Sequence, residues 1–303
     1  MVALVVQIVS MFAFITASDV NALYLGRTLQ GFSVGLAVGA INAWILDLQP
    51  PNHQGLGGLI GSAAAMGGLA DGALVSGLLV QYGPDPLDLV FWLLAAVFMI
   101  ALVAMPMLTD LAVRTPGWLA SLKPRIGVPP SARSLFIQMT PSMVGVWALS
   151  GLYLSLGPSL VLNLLHSNNH FFGGLVIVTF AGAASLSSIL VRGMSPRLGV
   201  IVGSLILIAG LGASLLALTT GSVVGFYAGS VITGVGFGPA WTGAFRALAP
   251  LAPPDKRGSL LSSIFVVSYL ALGVPVIIAG VAITFYGLRE ATFAYGVGVM
   301  ALR

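Results

Sequence analysis

The feature that most constrains this chain is the length of its apolar segments. A helix that crosses a bilayer needs about 20 apolar residues, and roughly ten segments reach or approach that length. They cover residues 2–18, 20–47, 55–82, 87–108, 134–165, 171–193, 197–219, 222–248, 257–285 and 289–303. Because only helices and closed barrels satisfy backbone hydrogen bonds in lipid, the sequence predicts an all-α membrane protein whose main partner is the bilayer.

Composition excludes several other classes of protein. Charged residues make up 7% of the chain, against about 25% in soluble domains. The net charge of +4 comes from scattered Lys and Arg rather than a basic stripe, so no nucleic-acid partner is predicted. The chain has no cysteine, and the loop residues His166 and His170 have no acidic third ligand nearby. We therefore expect no metal, no cofactor and no enzyme activity.

The distribution of basic residues predicts the orientation in the membrane, because short cytoplasmic loops carry an excess of Lys and Arg. The opposite joints contain only one basic residue, Arg289. The residues on the basic side are Arg114, Lys123, Arg125, Arg133, Arg192, Arg197, Lys256 and Arg257. We predict a multi-pass protein of the inner or plasma membrane, with the central loop and the C-terminus in the cytoplasm.

Two parts of the chain repeat each other at a constant offset of 203 residues. Gly31 matches Gly234, and Gly35 matches Gly238. The same offset pairs the loops PPNHQG and PPDKRG, which begin at Pro50 and Pro253, and it pairs Gly77 with Gly280. Parallel repeats of this kind are typical of transporters built from two related helical bundles.

The repeat also predicts an incomplete first bundle. Spans one to four match spans seven to ten, whereas spans five and six would need partners that begin about 70 residues before Met1. We expect the ten spans to correspond to helices three to twelve of a twelve-helix plan, with the last one short. A protein that natively has ten helices is the alternative.

Three motifs carry a resemblance to the major facilitator superfamily. Residues 23–35, LYLGRTLQGFSVG, resemble the superfamily's fourth-helix motif through Arg27, Gln30 and Gly31. Residues 61–79, GSAAAMGGLADGALVSGLL, resemble its glycine-rich antiporter motif through Gly67, Gly68 and Gly77, with Gly72-Ala73 in place of the usual Gly-Pro pair. Residues 192–199, RGMSPRLG, are similar to a degenerate copy of its basic loop, of which Arg197 and Gly199 are retained.

The resemblance implies two helical bundles around a central cavity and transport by alternating access. Residues 1–108 would form an incomplete N-terminal bundle of four helices, 109–133 a cytoplasmic linker, and 134–303 a C-terminal bundle of six. We expect a monomer that carries a small-molecule substrate.

Arg27 and Asp71 are candidate coupling residues, because an unpaired charge inside a membrane helix costs several kcal/mol and by default faces a partner or a water-filled path. Counted from the outer helix ends, their depths differ by only about 6 Å. Asp71 could exchange a proton, or Arg27 could lose its partner to substrate, as the bundles rock. A permanent ion pair that fixes helix packing is the alternative.

Other residues are candidates for a substrate cavity or a gate. Asn42 needs hydrogen-bond partners within the membrane, and it joins Gln30 as a transport candidate. Tyr153, Trp241 and Tyr269 are cavity-lining candidates, and the alternative for each is a packing residue or an interfacial anchor. Pro275 lacks a backbone donor and is a candidate bending point.

The function that these features favour is proton-coupled efflux of an amphiphilic, drug-like solute. A sugar or nutrient importer is the first alternative, and a membrane sensor or truncated non-functional member that does not transport is the second. No ATP-binding loop occurs in the sequence, so the energy should come from an ion gradient or from the gradient of the substrate itself. We expect a proton gradient.

Overall fold

The computed structural model describes residues 1–48, 56–107, 126–166, 168–253 and 256–301. Helices connected by short turns make up almost all of this described part, and it contains no strand. The α-helices are α1 (Val2–Ile15), α2 (Val20–Asp47), α3 (Leu56–Tyr82), α4 (Leu89–Ala104), α5 (Pro130–Gly151), α6 (Gly157–Leu165), α7 (His170–Leu190), α8 (Pro196–Thr220), α9 (Val223–Leu248), α10 (Arg257–Tyr286) and α11 (Leu288–Ala301). The predicted all-α membrane fold is confirmed.

Helices α5 and α6 form one continuous rod. A π turn at Leu152–Leu156 joins them without a break, and the rod covers Pro130–Leu165. The described residues therefore form ten helical rods, which correspond to the ten predicted spans. Within the described ranges, seven candidate spans are long and apolar enough to cross a membrane, whereas α1 is shorter.

Local sequence explains where the helices begin and end. The side chains of Asn169, Ser195 and Ser222 accept hydrogen bonds from backbone N–H groups in the first turns of α7, α8 and α9, as N-cap residues do. The rod of α5 begins at Pro130, four residues before the predicted start at 134. Proline suits the first turn because its missing N–H has no helical partner there, so this proline starts the helix.

The chain divides into two compact units. The first contains α1, α2, α4 and the end of α3, whereas the second contains Gly58–Gly77 of α3 and all helices from α5 onward. Sequence analysis placed all of α3 with the first bundle, and residues 108–125, which include most of the predicted linker, lie outside the described residues.

Close backbone approach between α8 and α9 forms the centre of the second unit. A Cβ added at Gly210 would lie 2.5 Å from the Thr233 nitrogen, and one at Gly199 would lie 2.9 Å from the Pro239 carbonyl oxygen. Side chains larger than hydrogen would force these helices apart. Small residues thus provide the tight van der Waals packing that holds helices together in lipid.

One face of α2 packs as the equivalent face of α9 does. Gly26 lies 203 residues before Gly229, and the Ser10 Oγ donates to the Gly26 carbonyl oxygen at 2.9 Å. A Cβ at Gly26 would meet the Phe14 ring of α1 at 2.9 Å, and one at Gly229 would meet the Ser214 nitrogen of α8 at 2.7 Å. The repeat in the sequence therefore appears as equivalent packing within each unit.

A second face of the same two helices differs. Gly234 and Gly238 of α9 pack so closely against α7 that added Cβ atoms would overlap the Phe180 carbonyl and the Ser187 side chain. Their equivalents Gly31 and Gly35 would meet no described atom within 4 Å. Within the described residues, only the second-unit copy of this glycine face is covered.

Candidate substrate site

A cluster of aromatic rings lies among three helices of the second unit. The Trp147 ring of α5 meets the Trp241 ring of α9 edge to face at 5.1 Å between centroids. It also meets the Tyr269 ring of α10 at 6.0 Å. Phe265 stacks on Tyr269 at 6.2 Å and lies 6.4 Å from Trp241. We call Trp147, Trp241, Phe265 and Tyr269 the aromatic cluster.

Helical spacing places these rings together. Phe237, Trp241 and Phe245 recur every four residues along α9, so they form one stripe on that helix. Phe265 and Tyr269 have the same spacing on α10. The glycine faces of α9 pack against α7 and α8, whereas Trp241 in the aromatic stripe contacts rings of α5 and α10.

The two tryptophans of the cluster are buried, whereas Tyr269 is partly exposed. Trp147 and Trp241 are 8% and 7% exposed, whereas Tyr269 is 43% exposed. The Trp147 Nε1 atom is buried and has no hydrogen-bond acceptor among the described residues. An indole N–H usually finds a partner when buried, so Trp147 keeps an unused hydrogen-bond donor.

Tyr153 lies apart from this cluster, on the π turn, and its side chain is completely buried. Its hydroxyl is 2.7 Å from the Ser214 Oγ and 2.9 Å from the Thr233 Oγ1. A π turn inside an α-helix is rare and is often found at functional sites. The ring stacks on Phe180 at 5.1 Å.

A chain of ring contacts connects Tyr153 to the aromatic cluster. Phe180 meets Phe237 at 6.0 Å, and Phe237 meets Trp147 at 5.9 Å. The structure thus brings Trp241 and Tyr269 onto the same ring, that of Trp147, and two rings separate Tyr153 from Trp147.

The predicted coupling residues lie in different units. In the first unit, the Arg27 Nη1 donates to the Gln30 Oε1 at 2.7 Å, and the guanidinium lies 5.0 Å from the centre of the Phe14 ring. Asp71 is exposed on the part of α3 that belongs to the second unit. Pairing of Arg27 with Asp71 stays a prediction.

The remaining predicted positions have mixed environments. Asn42 lies in α2, but its side chain is outside the described part of the structure. Pro275 lies inside α10, which continues through it as one helix, and Arg197 is exposed at the start of α8.

The predicted motif glycines of α3 differ in how closely other helices pack against them. A Cβ at Gly67 would lie 3.3 Å from the Ser185 Oγ, and one at Gly77 would lie 3.6 Å from the Phe171 Cα, whereas one at Gly68 would meet no described atom within 4 Å. Gly67 and Gly77 therefore lie where α3 contacts α7.

Sequence reasoning missed Trp147, Phe265, Ser214 and Thr233. The aromatic spacing of four residues on α10 was a usable signal for Phe265, because it places that ring beside Tyr269. No comparable signal existed for the two hydroxyl residues, since Ser and Thr commonly bond within their own helices.

Comparison with protein families decides the identity of the fold. The model of the Major Facilitator Superfamily matches residues 1–275. This chain belongs to the major facilitator superfamily.

A superfamily member of this kind is a multi-pass membrane protein and a secondary transporter. A solved structure described as "Structure of a bacterial metal transporter" matches with a TM-score of 0.56 and 14% sequence identity, over 99% of this chain and 83% of that chain. At this identity the similarity shows the fold alone. No curated protein matches the sequence significantly.

Proposed function

We propose that this superfamily member exports a small amphiphilic solute that carries a planar ring, by alternating access and with a proton gradient as the driving force. The observation that carries the proposal is the aromatic cluster, with its buried and unpartnered Trp147 N–H and its exposed Tyr269 edge. Aromatic faces bind planar rings by offset stacking and edge-to-face contact.

The chemistry of the cluster specifies the solute further. Burying a polar donor without an acceptor costs free energy, which a substrate acceptor would recover. All four side chains of the cluster are neutral, so they offer no charge that would bind an anion. A ring system with a carbonyl, ether or aromatic nitrogen acceptor fits this arrangement better than a sugar or an inorganic anion does.

We do not propose that this chain transports a metal ion, although the solved structure with a similar fold is described as that of a metal transporter. The described residues contain no group of three or more His, Asp or Glu side chains that could hold a metal ion.

Asp71 is the proposed proton carrier. It is an acidic residue within the candidate span Ala63–Tyr82, and a carboxylate at membrane depth is a default candidate for a proton path. Asp71→Asn keeps the size of the side chain and removes its titration. We expect this variant to lose the pH dependence of transport, and a variant with unchanged flux and unchanged pH dependence would exclude Asp71 from coupling.

The first experiment is flux in proteoliposomes with two fluorescent probes. A quinolone has a planar ring with a carbonyl acceptor, and ethidium has a planar ring without one. Saturable flux of the quinolone, stimulated by an imposed pH gradient, would support the proposal. Absence of saturable flux for any solute would favour a sensor that does not transport.

Direction is tested separately in cells and inverted vesicles. Accumulation in inverted vesicles would support export, because the cytoplasmic face is then outside. Uptake that is stimulated only in whole cells would favour the nutrient importer.

A further inference from the structure

A pocket lies at one end of the second unit, where α6 and α8 end and α11 begins. Its volume is about 330 Å³, at the lower end of the 300–1,000 Å³ that is typical of ligand sites. Leu160, Leu218 and Leu288 provide part of its wall, and Asn163, Thr219 and Arg289 provide polar groups. None of these residues belongs to the aromatic cluster.

The arginine in this pocket has spare hydrogen-bonding capacity. Among the described residues, the only hydrogen bond or ion pair of Arg289 is a long one of 3.5 Å from its Nη2 to the Thr219 carbonyl oxygen. A guanidinium has five N–H donors. The Thr219 and Thr220 hydroxyls donate to carbonyl oxygens of their own helix, so among the described side chains that line the pocket, Arg289 and Asn163 keep unused donors.

The acidic group nearest in sequence is Glu290, which follows Arg289 in the first turn of α11. It does not line the pocket. Consecutive residues of a helix point about a quarter-turn or more apart and do not face each other, so this carboxylate lies beside the pocket wall rather than inside it.

The position of the pocket relates it to the bilayer. The rods that form it are long apolar spans, Pro130–Leu165 and Pro196–Thr220, and the pocket lies at their ends. The ends of spanning helices lie at headgroup depth, where arginine reaches lipid phosphates and apolar walls reach the upper acyl carbons. A pocket lined by both leucines and a guanidinium matches a lipid, which has an apolar acyl part and a charged phosphate.

We propose that this pocket binds the phosphate headgroup of an anionic phospholipid. The Arg289 guanidinium donates to two phosphate oxygens, as arginine does with phosphate elsewhere. The Asn163 amide donates to a further headgroup oxygen, and the leucines contact the first acyl carbons. The bound lipid would add a second link between α11 and the α5–α6 rod, which the Tyr295 hydroxyl already joins by donating to the Ala148 carbonyl oxygen at 2.7 Å.

The test is native mass spectrometry of the purified protein after addition of phosphatidylglycerol or phosphatidylethanolamine. We expect phosphatidylglycerol to be retained in preference, and Arg289→Gln to weaken that retention about tenfold, since a charge-assisted pair is lost. Arg289→Lys keeps the charge without the two-pronged geometry, so its retention should be intermediate. Arg192→Gln removes an exposed arginine outside the pocket and should leave retention unchanged.

A parallel arm uses inorganic phosphate, which has the same charged group without acyl chains. Arg289-dependent retention of phosphatidylglycerol that millimolar phosphate does not displace would support the lipid as the source. Phosphate binding that depends on Arg289, together with no preference between the lipids, would mean that the site binds free phosphate rather than a lipid headgroup. Equal retention of both lipids by Arg289→Gln and the unmodified protein would overturn the proposal.

Discussion

The Trp147 and Trp241 rings meet at right angles, with an interplanar angle of 90° and 5.1 Å between their centroids. Edge-to-face geometry places the positive edge of one ring on the negative face of the other. It fixes the orientation of the Trp147 indole, whose N–H has no acceptor among the described residues. The donor is therefore held in place before any substrate arrives.

Trp147→Phe should raise the KM for the quinolone probe about two- to tenfold. The variant keeps an aromatic ring and removes one hydrogen-bond donor, which is worth about 0.5–1.5 kcal/mol. Ethidium has no carbonyl acceptor, so its KM should change little. The measurement is concentration-dependent flux of both probes in proteoliposomes.

Trp92→Phe is the matched control for this variant. Trp92 is 50% exposed on α4 and meets Phe12 edge to face, so the same chemical change occurs outside the cluster. Equal KM changes for both probes in Trp147→Phe would contradict the assigned role of the N–H, because loss of packing alone would then explain the result.

Directional hydrogen bonds order the hydroxyl groups around Tyr153. Thr233 donates its proton to the Gly229 carbonyl oxygen at 2.8 Å, so it accepts from the Tyr153 hydroxyl at 2.9 Å. Because the Tyr153 hydroxyl donates its proton to Thr233, the Tyr153 oxygen accepts a hydrogen bond from the Ser214 hydroxyl at 2.7 Å. The chain of donors runs from α8 through the π turn to α9.

Tyr153→Phe should lower the free energy of unfolding by about 1–3 kcal/mol, because it leaves the Ser214 donor buried without its acceptor. Adding Ser214→Ala removes that donor and should recover part of the loss. Thermal unfolding in detergent measures both variants. Tyr286→Phe, at a position that is 72% exposed, should have no effect, and additive losses in the double variant would contradict the ordered chain.

Much of the fold could be predicted from the sequence, because helix length in a membrane depends mainly on hydropathy. The start of α5 was placed late, since the prolines before residue 134 were interpreted as loop residues although Pro130 begins the helix. The π turn was not predicted, because nothing in the sequence LYLSL marks a change of hydrogen-bond register.

The candidate site was predictable only in part. Trp241 and Tyr269 could be predicted as cavity-lining candidates because they are aromatic residues inside spans. Their proximity through Trp147 could not be predicted, because it depends on how three helices rotate against one another. The packing of small residues on neighbouring helices sets that rotation, so the sequence of one helix alone does not predict it. Tyr153 is a cavity-lining candidate on the same grounds, yet its hydroxyl hydrogen-bonds to Ser214 and Thr233 between packed helices.

Gly238→Ala and Gly35→Ala make the same substitution at equivalent positions of the repeat and should have opposite effects. A Cβ at Gly238 would overlap the Ser187 side chain and lie 2.5 Å from the Ser188 nitrogen, whereas one at Gly35 would meet no described atom within 4 Å. Overpacking costs about 1–3 kcal/mol, and alanine stabilises an open helix position by up to about 1 kcal/mol over glycine.

The thermal midpoint in detergent should therefore fall for Gly238→Ala and stay the same or rise for Gly35→Ala. Because both glycines lie in long apolar helices, propensity alone would shift the two midpoints in the same direction. Only the contact with α7 distinguishes them. A loss at Gly35 equal to that at Gly238 would mean that the first-unit glycine face is also covered in the folded protein, and that the two copies of the repeat pack alike on both faces.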